Sequence, residues 1–132
     1  MKGIGSSYLV EGLLKNEQLL ENDLLITLDL AVYETANSVW KHEFLLKDIK
    51  NGAEYLSILQ GLIEAAKIQL VHASKEAMQT AYSLASKSRR TVYDTVFVAL
   101  ALELGSEFAT FDKHQAELHG EMSHRLSKKS RI

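Results

Sequence analysis

Three acidic side chains stand close to the ends of predicted strands. Asp112 follows directly on a strand predicted at residues 107–111, and Glu34 lies in the helix after a strand predicted at residues 24–28. Asp94 opens another helix that can face the same crevice. In open parallel sheets, ligands bind in the crevice beyond the carboxyl ends of the strands. Clustered carboxylates are hard oxygen ligands suited to Mg²⁺ or Mn²⁺, so the three together predict a metal-dependent phosphoryl-transfer site.

Each of these acids also has a structural explanation. Asp94 completes a T-x-x-D capping box that begins at Thr91, and Asp112 is a natural N-cap for the helix behind it. Glu34 lies on a polar helix face near the helix start, where the helix dipole favours anions. Taken singly, each acid is better explained by structure than by chemistry. The site hypothesis therefore depends on their joint placement, which is also expected to raise at least one carboxyl pKa.

Short β-like runs alternate with helical patterns along the chain, and these elements must position the acids. Strands are predicted at residues 2–6, 24–28, 68–72 and 107–111. Helices are predicted at residues 7–16, 29–44, 48–66, 74–87 and from 91 up to Gly105, with a further short helix from Asp112. Strands separated by helices predict an α/β fold with a mostly parallel sheet and helices on both faces.

The composition is that of one globular domain spanning residues 1–132. Hydrophobic residues make up 46% of the chain and charged residues 24%, so a folded core is expected rather than disorder. The longest apolar run, residues 96–102, is too short to cross a bilayer. The absence of cysteine excludes thiolate chemistry and fits a reducing cytoplasm. We therefore expect a soluble cytoplasmic protein with no membrane partner.

The net charge of −2 does not by itself indicate a nucleic-acid binder, so any RNA contact must come from local basic clusters. There are two such clusters in the chain. They are formed by Lys87, Arg89 and Arg90, and by Lys128, Lys129 and Arg131. The first cluster supplies the candidate RNA-binding residues. The structural alternative is a solvated loop for the first cluster and a frayed terminus for the second.

Three segments carry a resemblance to a known family. They are residues 30–40 (LAVYETANSVW), residues 91–101 (TVYDTVFVALA) and residues 109–113 (ATFDK). In order and spacing they resemble the motifs around the second, third and fourth acids of PIN domains. The resemblance covers roughly residues 1–115, and the branch it most resembles is that of the VapC-type toxins of toxin–antitoxin pairs.

That resemblance implies a three-layer α/β/α fold and Mg²⁺-dependent endoribonuclease activity, with Mn²⁺ as an alternative ion. It also implies an RNA substrate, a cognate antitoxin and a homodimer. By the same resemblance, Asp94 is the main metal ligand, Asp112 ligates directly or through water, and Glu34 ligates or orients the attacking water. The positions that would support the site through hydrogen bonds are Ser6, Asn37 and Thr110.

One position departs from the family pattern. The first acid of the family ends the first strand, and here Gly5 stands in its place. Glu11, one turn into the next helix, is expected to point to solvent and not to replace it. Restoring Asp at position 5 is expected to strengthen metal binding. Two functions therefore stay open, an endoribonuclease with a weakened site and an inactive PIN domain kept for binding or dimerisation. A third alternative is an unrelated small α/β binding module.

Several apolar side chains are expected to be buried in the core or in a dimer interface. Trp40 and Phe44 are assigned to the core rather than to base stacking. The candidates for a dimer interface are Val71, Ala77, Tyr82 and Leu84. The polar and basic end of the chain, from about residue 121, is expected to be irregular and to add no final strand.

Overall fold

A four-stranded sheet forms the middle of the molecule. The computed structural model describes the backbone of residues 1–130 and the side chains of residues 1–126. The strands are β1 (Lys2–Ile4), β2 (Leu25–Leu28), β3 (Ile68–Val71) and β4 (Glu107–Ala109), in the spatial order β3-β2-β1-β4. All neighbouring strands pair in parallel, which confirms the predicted type of sheet. The last strand ends earlier than predicted, so Phe111 lies outside it.

Six helices connect and cover the strands. They are α1 (Ser6–Leu14), α2 (Leu30–Lys41), α3 (Gly52–Glu64), α4 (Lys75–Ser88), α5 (Val92–Leu104) and α6 (Lys113–Ser130). The first three helices pack on one another, and α5 packs on both α4 and α6. The sheet lies between these two helix groups, so the predicted three-layer α/β/α architecture is confirmed.

The central helix α5 begins and ends where its sequence signals place it. The Thr91 hydroxyl accepts a hydrogen bond from the Asp94 backbone N–H at 3.3 Å, and Gly105 ends the helix with a φ of +61°. A glycine adopts this left-handed conformation without steric cost. All seven residues from Thr95 to Ala101 are buried because α5 lies between the sheet and two other helices. This packing holds the first turn of α5, which contains Asp94, against the sheet edge.

The assignment of Trp40 and Phe44 to the core is wrong. Trp40 is 50% exposed and Phe44 is 57% exposed. The buried stripe of α2 consists instead of Ala31, Thr35 and Val39, which are spaced four residues apart. The larger rings of Trp40 and Phe44 lie off this stripe and stay outside. The helix then widens into a π-helical turn at His42–Leu46.

Two of the dimer candidates are not available to a partner. Ala77 and Leu84 are 2% and 5% exposed, because α4 turns these side chains into the core of its own chain. Val71 is half-buried at the end of β3. Tyr82 is 69% exposed, and Met78 lies exposed one turn before it. An exposed apolar face thus remains on α4, although it is smaller than the sequence indicated.

The expectation of an irregular end is also wrong. The helix predicted to be short at Asp112 continues as α6 as far as Ser130. Glu121 and Arg125 form an ion pair one turn apart at 2.7 Å, a spacing that supports helices. Met122 and Leu126 face α4 and α5 across a shared cavity. As predicted, no strand follows β4 in residues 110–130. The side chains of Lys128 and Lys129, and all of Arg131, lie outside the described residues.

Within residues 1–130, none of the helices combines the length and the apolar character that crossing a membrane requires.

Candidate metal centre

The parallel sheet brings the segments after β1 and β4 together at one edge, which is the edge formed by the carboxyl ends of its strands. The backbone N–H of Gly5, the first residue after β1, donates to the carbonyl of Ala109 at the end of β4 at 3.0 Å. Thr110 and Asp112 follow directly on β4. The N-terminal turn of α5 reaches the same edge, since the Asp94 carbonyl accepts a hydrogen bond from Gln115 in α6. The candidate site is built at this edge.

Asp94 and Asp112 line one small cavity. Its volume is about 10 Å³, which is room for about one water molecule, and Arg90 and Gln115 also line it. Asp112 Oδ1 accepts a hydrogen bond from the Gln115 backbone N–H at 3.0 Å, as an N-cap does. Arg90 therefore belongs to the same corner of the site as Asp94 and Asp112. Lys87 and Arg89, the other basic residues of the predicted cluster, are exposed to solvent.

Glu34 approaches this corner from α2. Ser6, at the start of α1, donates its hydroxyl hydrogen to Glu34 Oε1 at 2.8 Å. Burial raises the pKa of Glu34, the Ser6 hydrogen bond acts against this, and repulsion from Asp94 raises it further. One carboxyl pKa is thus raised as expected, although burial contributes more than the neighbouring acid. The repulsion from Asp94 puts Glu34 within electrostatic reach of that acid, although the two acids line different cavities.

The space beside Gly5 is filled by the amide of Gln115. This side chain is 7% exposed, and its Oε1 accepts a hydrogen bond from Thr110 Oγ1 at 2.8 Å. Its Nε2 donates to the Asp94 carbonyl at 2.9 Å. A Cβ on Gly5 would lie 3.1 Å from Gln115 Oε1 and 3.1 Å from Thr110 Oγ1. A neutral amide therefore lies where a side chain at position 5 would extend.

Hydroxyl groups connect this amide to the loop after β4. Because the single hydroxyl hydrogen of Thr110 is given to Gln115, the 2.9 Å contact between Ser7 and Thr110 needs Ser7 as the donor. Ser7 Oγ in turn accepts the backbone N–H of Phe111, and Thr110 Oγ1 accepts that of Asp112. The chain of hydrogen bonds fixes the loop that carries Asp112.

The backbone at Gly5 does not require glycine. Its φ of −86° and ψ of 167° are extended values that any residue adopts. Gly5 is also the N-cap residue of α1 and offers no side-chain hydrogen bond there. Aspartate is a favoured N-cap residue. The obstacle to an acid at this position is therefore the packing of Gln115 and Thr110, and not backbone strain.

The oxygen donors at this edge fit a divalent cation in their chemistry. Mg²⁺ is usually held by one or two carboxylates, with water and substrate phosphate at its other positions. Asp94 and Asp112 line the same cavity and supply such carboxylates, so the chemistry of the donors fits. Within residues 1–126, however, no three carboxylate or imidazole side chains come together as a complete metal cage.

The remaining candidate residues lie around a second, wider cavity. Asn37 lines this cavity together with Ser6 and Glu34, and it does not bond to the acids. Glu11 also lines this open cavity, keeps 35% of its side chain exposed and does not line the cavity of Asp94 and Asp112, so its expected inability to replace the first acid stays a prediction.

Sequence reasoning missed Gln115 and Phe111 as parts of the site. The spacing Asp112-x-x-Gln115 is that of a capping box and places Gln115 in the first helical turn. The spacing does not show that the Gln115 amide turns inward.

Two comparisons with known proteins bear on this site. The family model described as the PIN domain matches residues 9–121. Ribonuclease VapC3 of Pyrobaculum aerophilum is 41% identical to this chain over 93 residues, which are 70% of each of the two chains. The matched range of the family model begins after Gly5, so the alignment of Gly5 with a family acid stays a prediction.

Replacing Gly5 by Asp should strengthen metal binding only when Gln115 is also shortened. Gly5→Asp alone should destabilise the protein by about 1 kcal/mol or more, because the crowded Gln115 loses a buried hydrogen bond. Gly5→Asp with Gln115→Ala should bind Mg²⁺ about tenfold more tightly than Gln115→Ala, as measured by calorimetry. Gly61→Asp is the control, since position 61 faces open space. Equal affinities for the double variant and Gln115→Ala would contradict the assigned position.

Replacing Glu34 by Gln should stabilise the metal-free protein at pH 7. The amide keeps an acceptor for Ser6 and removes a charge that burial and Asp94 disfavour. Because the folded pKa is raised above 4.5, the favourable contribution of protonated Glu34 is complete below that pH. It is lost as the pH rises through the raised pKa.

Denaturant unfolding of both proteins should therefore show a larger free energy of unfolding for the Gln variant at pH 7. The difference between the two proteins should shrink towards pH 4. Glu117→Gln, an exposed change in α6, is the control. A Gln variant that is less stable than the parent at pH 7 would show that Glu34 is held by favourable contacts instead.

Proposed function

Because this chain belongs to the PIN-domain family, we propose that it is a metal-dependent endoribonuclease of the VapC toxin type. The observation that carries the proposal is the placement of Asp94 and Asp112 together at the carboxyl end of the sheet, with Glu34 on the neighbouring α2. Asp94 and Asp112 share a cavity, and Glu34 and Asp94 are close enough to interact electrostatically. Ribonuclease VapC3 supports the choice of RNA as the substrate.

The cofactor we propose is Mg²⁺ or Mn²⁺, held by Asp94 and Asp112. When bound, a divalent cation lowers the pKa of a water and neutralises charge that develops on the phosphate during the reaction. Thr110 and Gln115 keep Asp112 in position through the hydrogen bonds described above. These two residues act as positioning groups, because their polar atoms are occupied within the protein.

Glu34 is the proton acceptor in this proposal. Ser6 holds Oε1, which leaves Oε2 to orient a water and to take its proton. A carboxylate with a raised pKa is a better base than an ordinary one, provided that it is ionised at the working pH. The environment of Glu34 raises its pKa, so both its position and its basicity suit it to accept a proton from water.

RNA is held through its phosphates in this proposal. Arg90 lines the cavity of Asp94 and Asp112, where its guanidinium can contact a phosphate bound at the carboxylates. Lys87 and Arg89 extend the positive surface from the end of α4 towards solvent. Such contacts add affinity without reading sequence.

Gly5 weakens the metal site in this proposal, because it removes one anionic ligand. The alternative is an inactive PIN domain retained for binding or dimerisation. One observation favours this alternative, since Gln115 fills the space beside Gly5 and makes hydrogen bonds on both sides. A filled space of this kind stabilises the fold whether or not a metal binds.

Two protein partners follow from the same proposal, in a cytoplasmic setting. An antitoxin would cover the exposed apolar patch at the end of α2, which consists of Trp40, Phe44, Leu45 and Leu46. A second copy of the chain would pair through the exposed face of α4 that carries Met78 and Tyr82.

The purified protein should cut RNA in the presence of Mg²⁺ or Mn²⁺. Asp94→Asn and Asp112→Asn should each reduce RNA cleavage to the level seen in buffer without protein. Both variants should fold, because the Thr91 cap of α5 remains and Asn also caps helices. Asp48→Asn, at an exposed carboxylate that contacts His42, is the matched control.

Cutting that survives EDTA or the Asp94 change would contradict the mechanism. If the natural chain does not cut RNA whereas the variant carrying both Gly5→Asp and Gln115→Ala does, the natural protein is an inactive PIN domain.

The protein should have twice the mass of one chain by light scattering at micromolar concentration. Tyr82→Glu should convert it to a monomer, because a charge would then be buried in the proposed interface. Trp40→Glu, on the patch assigned to the antitoxin, should leave the dimer intact. A monomeric natural protein would exclude the homodimer.

A further inference from the structure

A cavity of about 460 Å³ opens beside the proposed catalytic cleft. Its walls come from α1, α2 and the loop after β4, and they include Ser6 and Glu34. The size is typical of sites that take a small organic group. Because Glu34 lines this cavity and interacts electrostatically with Asp94, an occupant of the cavity would lie near a phosphate bound at Asp94.

Phe111 gives this cavity a flat and rigid aromatic surface. One face of its ring stacks on Tyr8 with centroids 5.9 Å apart and planes 19° from parallel. Tyr8 is 8% exposed and its hydroxyl donates to the Leu19 carbonyl, so the supporting ring is fixed. The backbone of Phe111 is held by its hydrogen bond to Ser7. Phe111 is nevertheless 58% exposed, which leaves an open aromatic surface at the cavity.

The charges of the cavity select against a phosphate. Glu11 and Glu34 both line it, and none of the described side chains that line it is basic. Glu11 forms an exposed ion pair with Lys15, in which Oε2 lies 3.9 Å from Nζ, and this distance is too long for a hydrogen bond, so the carboxylate oxygens can still accept one. Asn37 and Ser38 add polar groups that make no side-chain hydrogen bond within the described part of the chain. A neutral, flat group with N–H donors is the complementary ligand.

We propose that this cavity binds an unpaired guanine of the RNA substrate, stacked on Phe111 and recognised by Glu11. The inference rests on the proposed ribonuclease function. Bases of single-stranded RNA stack on exposed aromatic rings and are recognised by hydrogen bonds to their edges.

Guanine fits Glu11 better than the other bases do. Its Watson–Crick edge carries N1–H and the 2-amino group side by side, and both can donate to one carboxylate. Adenine and cytosine each place an acceptor next to their amino donor, and uracil places N3–H between two carbonyl oxygens. A bidentate, charge-assisted pair is therefore available only to guanine.

Binding of fluorescein-labelled RNA pentamers, measured by anisotropy in EDTA, separates recognition from cleavage. The probes are UUGUU, UUAUU and UUIUU, in which inosine lacks the 2-amino group of guanosine. The natural protein should bind UUGUU about tenfold more tightly than UUIUU, because one hydrogen bond to a charged group is lost. Glu11→Gln should remove most of this difference.

Phe111→Ala should weaken binding of all three pentamers by about fivefold or more, whereas Phe111→Trp should retain it. Phe44→Ala is the matched control, since Phe44 is 57% exposed and lies outside the cavity. Phe111→Leu keeps an apolar side chain without a flat face and should also weaken binding, so the test holds even if the alanine variant unfolds.

Unchanged binding by a folded Phe111→Leu variant would overturn the stacking site. Equal affinity of the natural protein for UUGUU and UUIUU would overturn recognition by Glu11. Failure of the natural protein to bind any pentamer would overturn the inference as a whole. Cleavage of RNA by the natural protein would still stand in these cases, so the loss of this inference is distinguishable from the loss of the proposed function.

Discussion

Gln115 reaches inward from the first turn of α6 and joins β4 and α5 through one side-chain amide. Its oxygen accepts from Thr110 after β4, and its nitrogen donates to the backbone of Asp94 in α5. The amide has room because Gly5, at the end of the central strand β1, carries no side chain. A buried amide without partners would cost about 1–3 kcal/mol, so these hydrogen bonds hold the elements in register. The placement of Asp94 and Asp112 therefore depends on an uncharged residue.

An uncharged group at this point also reduces the repulsion within the site. A carboxylate at position 5 would add a charge where Asp94 already disfavours the ionised form of Glu34. The amide instead satisfies its neighbours without any cation. The hydrogen bonds of the amide therefore need no bound cation. Glycine at position 5 is thus expected to favour folding and to disfavour metal binding, so these two properties must be measured on the same variants.

Local signals in the sequence predicted the elements well, because they act within a few residues. Thr91 and Gly105 mark the two ends of α5, and the alternation of strands with helices predicted a parallel sheet. The direction of single side chains was not predictable, because neighbouring helices determine it. Trp40 appeared apolar enough for the core, yet it lies off the buried stripe of α2 and stays exposed. Gln115 turns inward for a similar reason, since packing between elements decides the direction of its side chain.

Two cavities of different charge make up the proposed site. On one side, Arg90 lies with Asp94 and Asp112, where a cation and a phosphate can balance the carboxylates. On the other side, the walls offer carboxylates and hydroxyls, and Phe111 offers an open ring face. A nucleotide has the same polarity, with an anionic phosphate at one end and a neutral flat base at the other. The charge distribution therefore favours one orientation of RNA, with its phosphate towards Arg90 and the adjacent base towards Phe111. In that orientation Glu34, which lines the cavity of the base and interacts with Asp94, would face the nucleotide between its base and its phosphate.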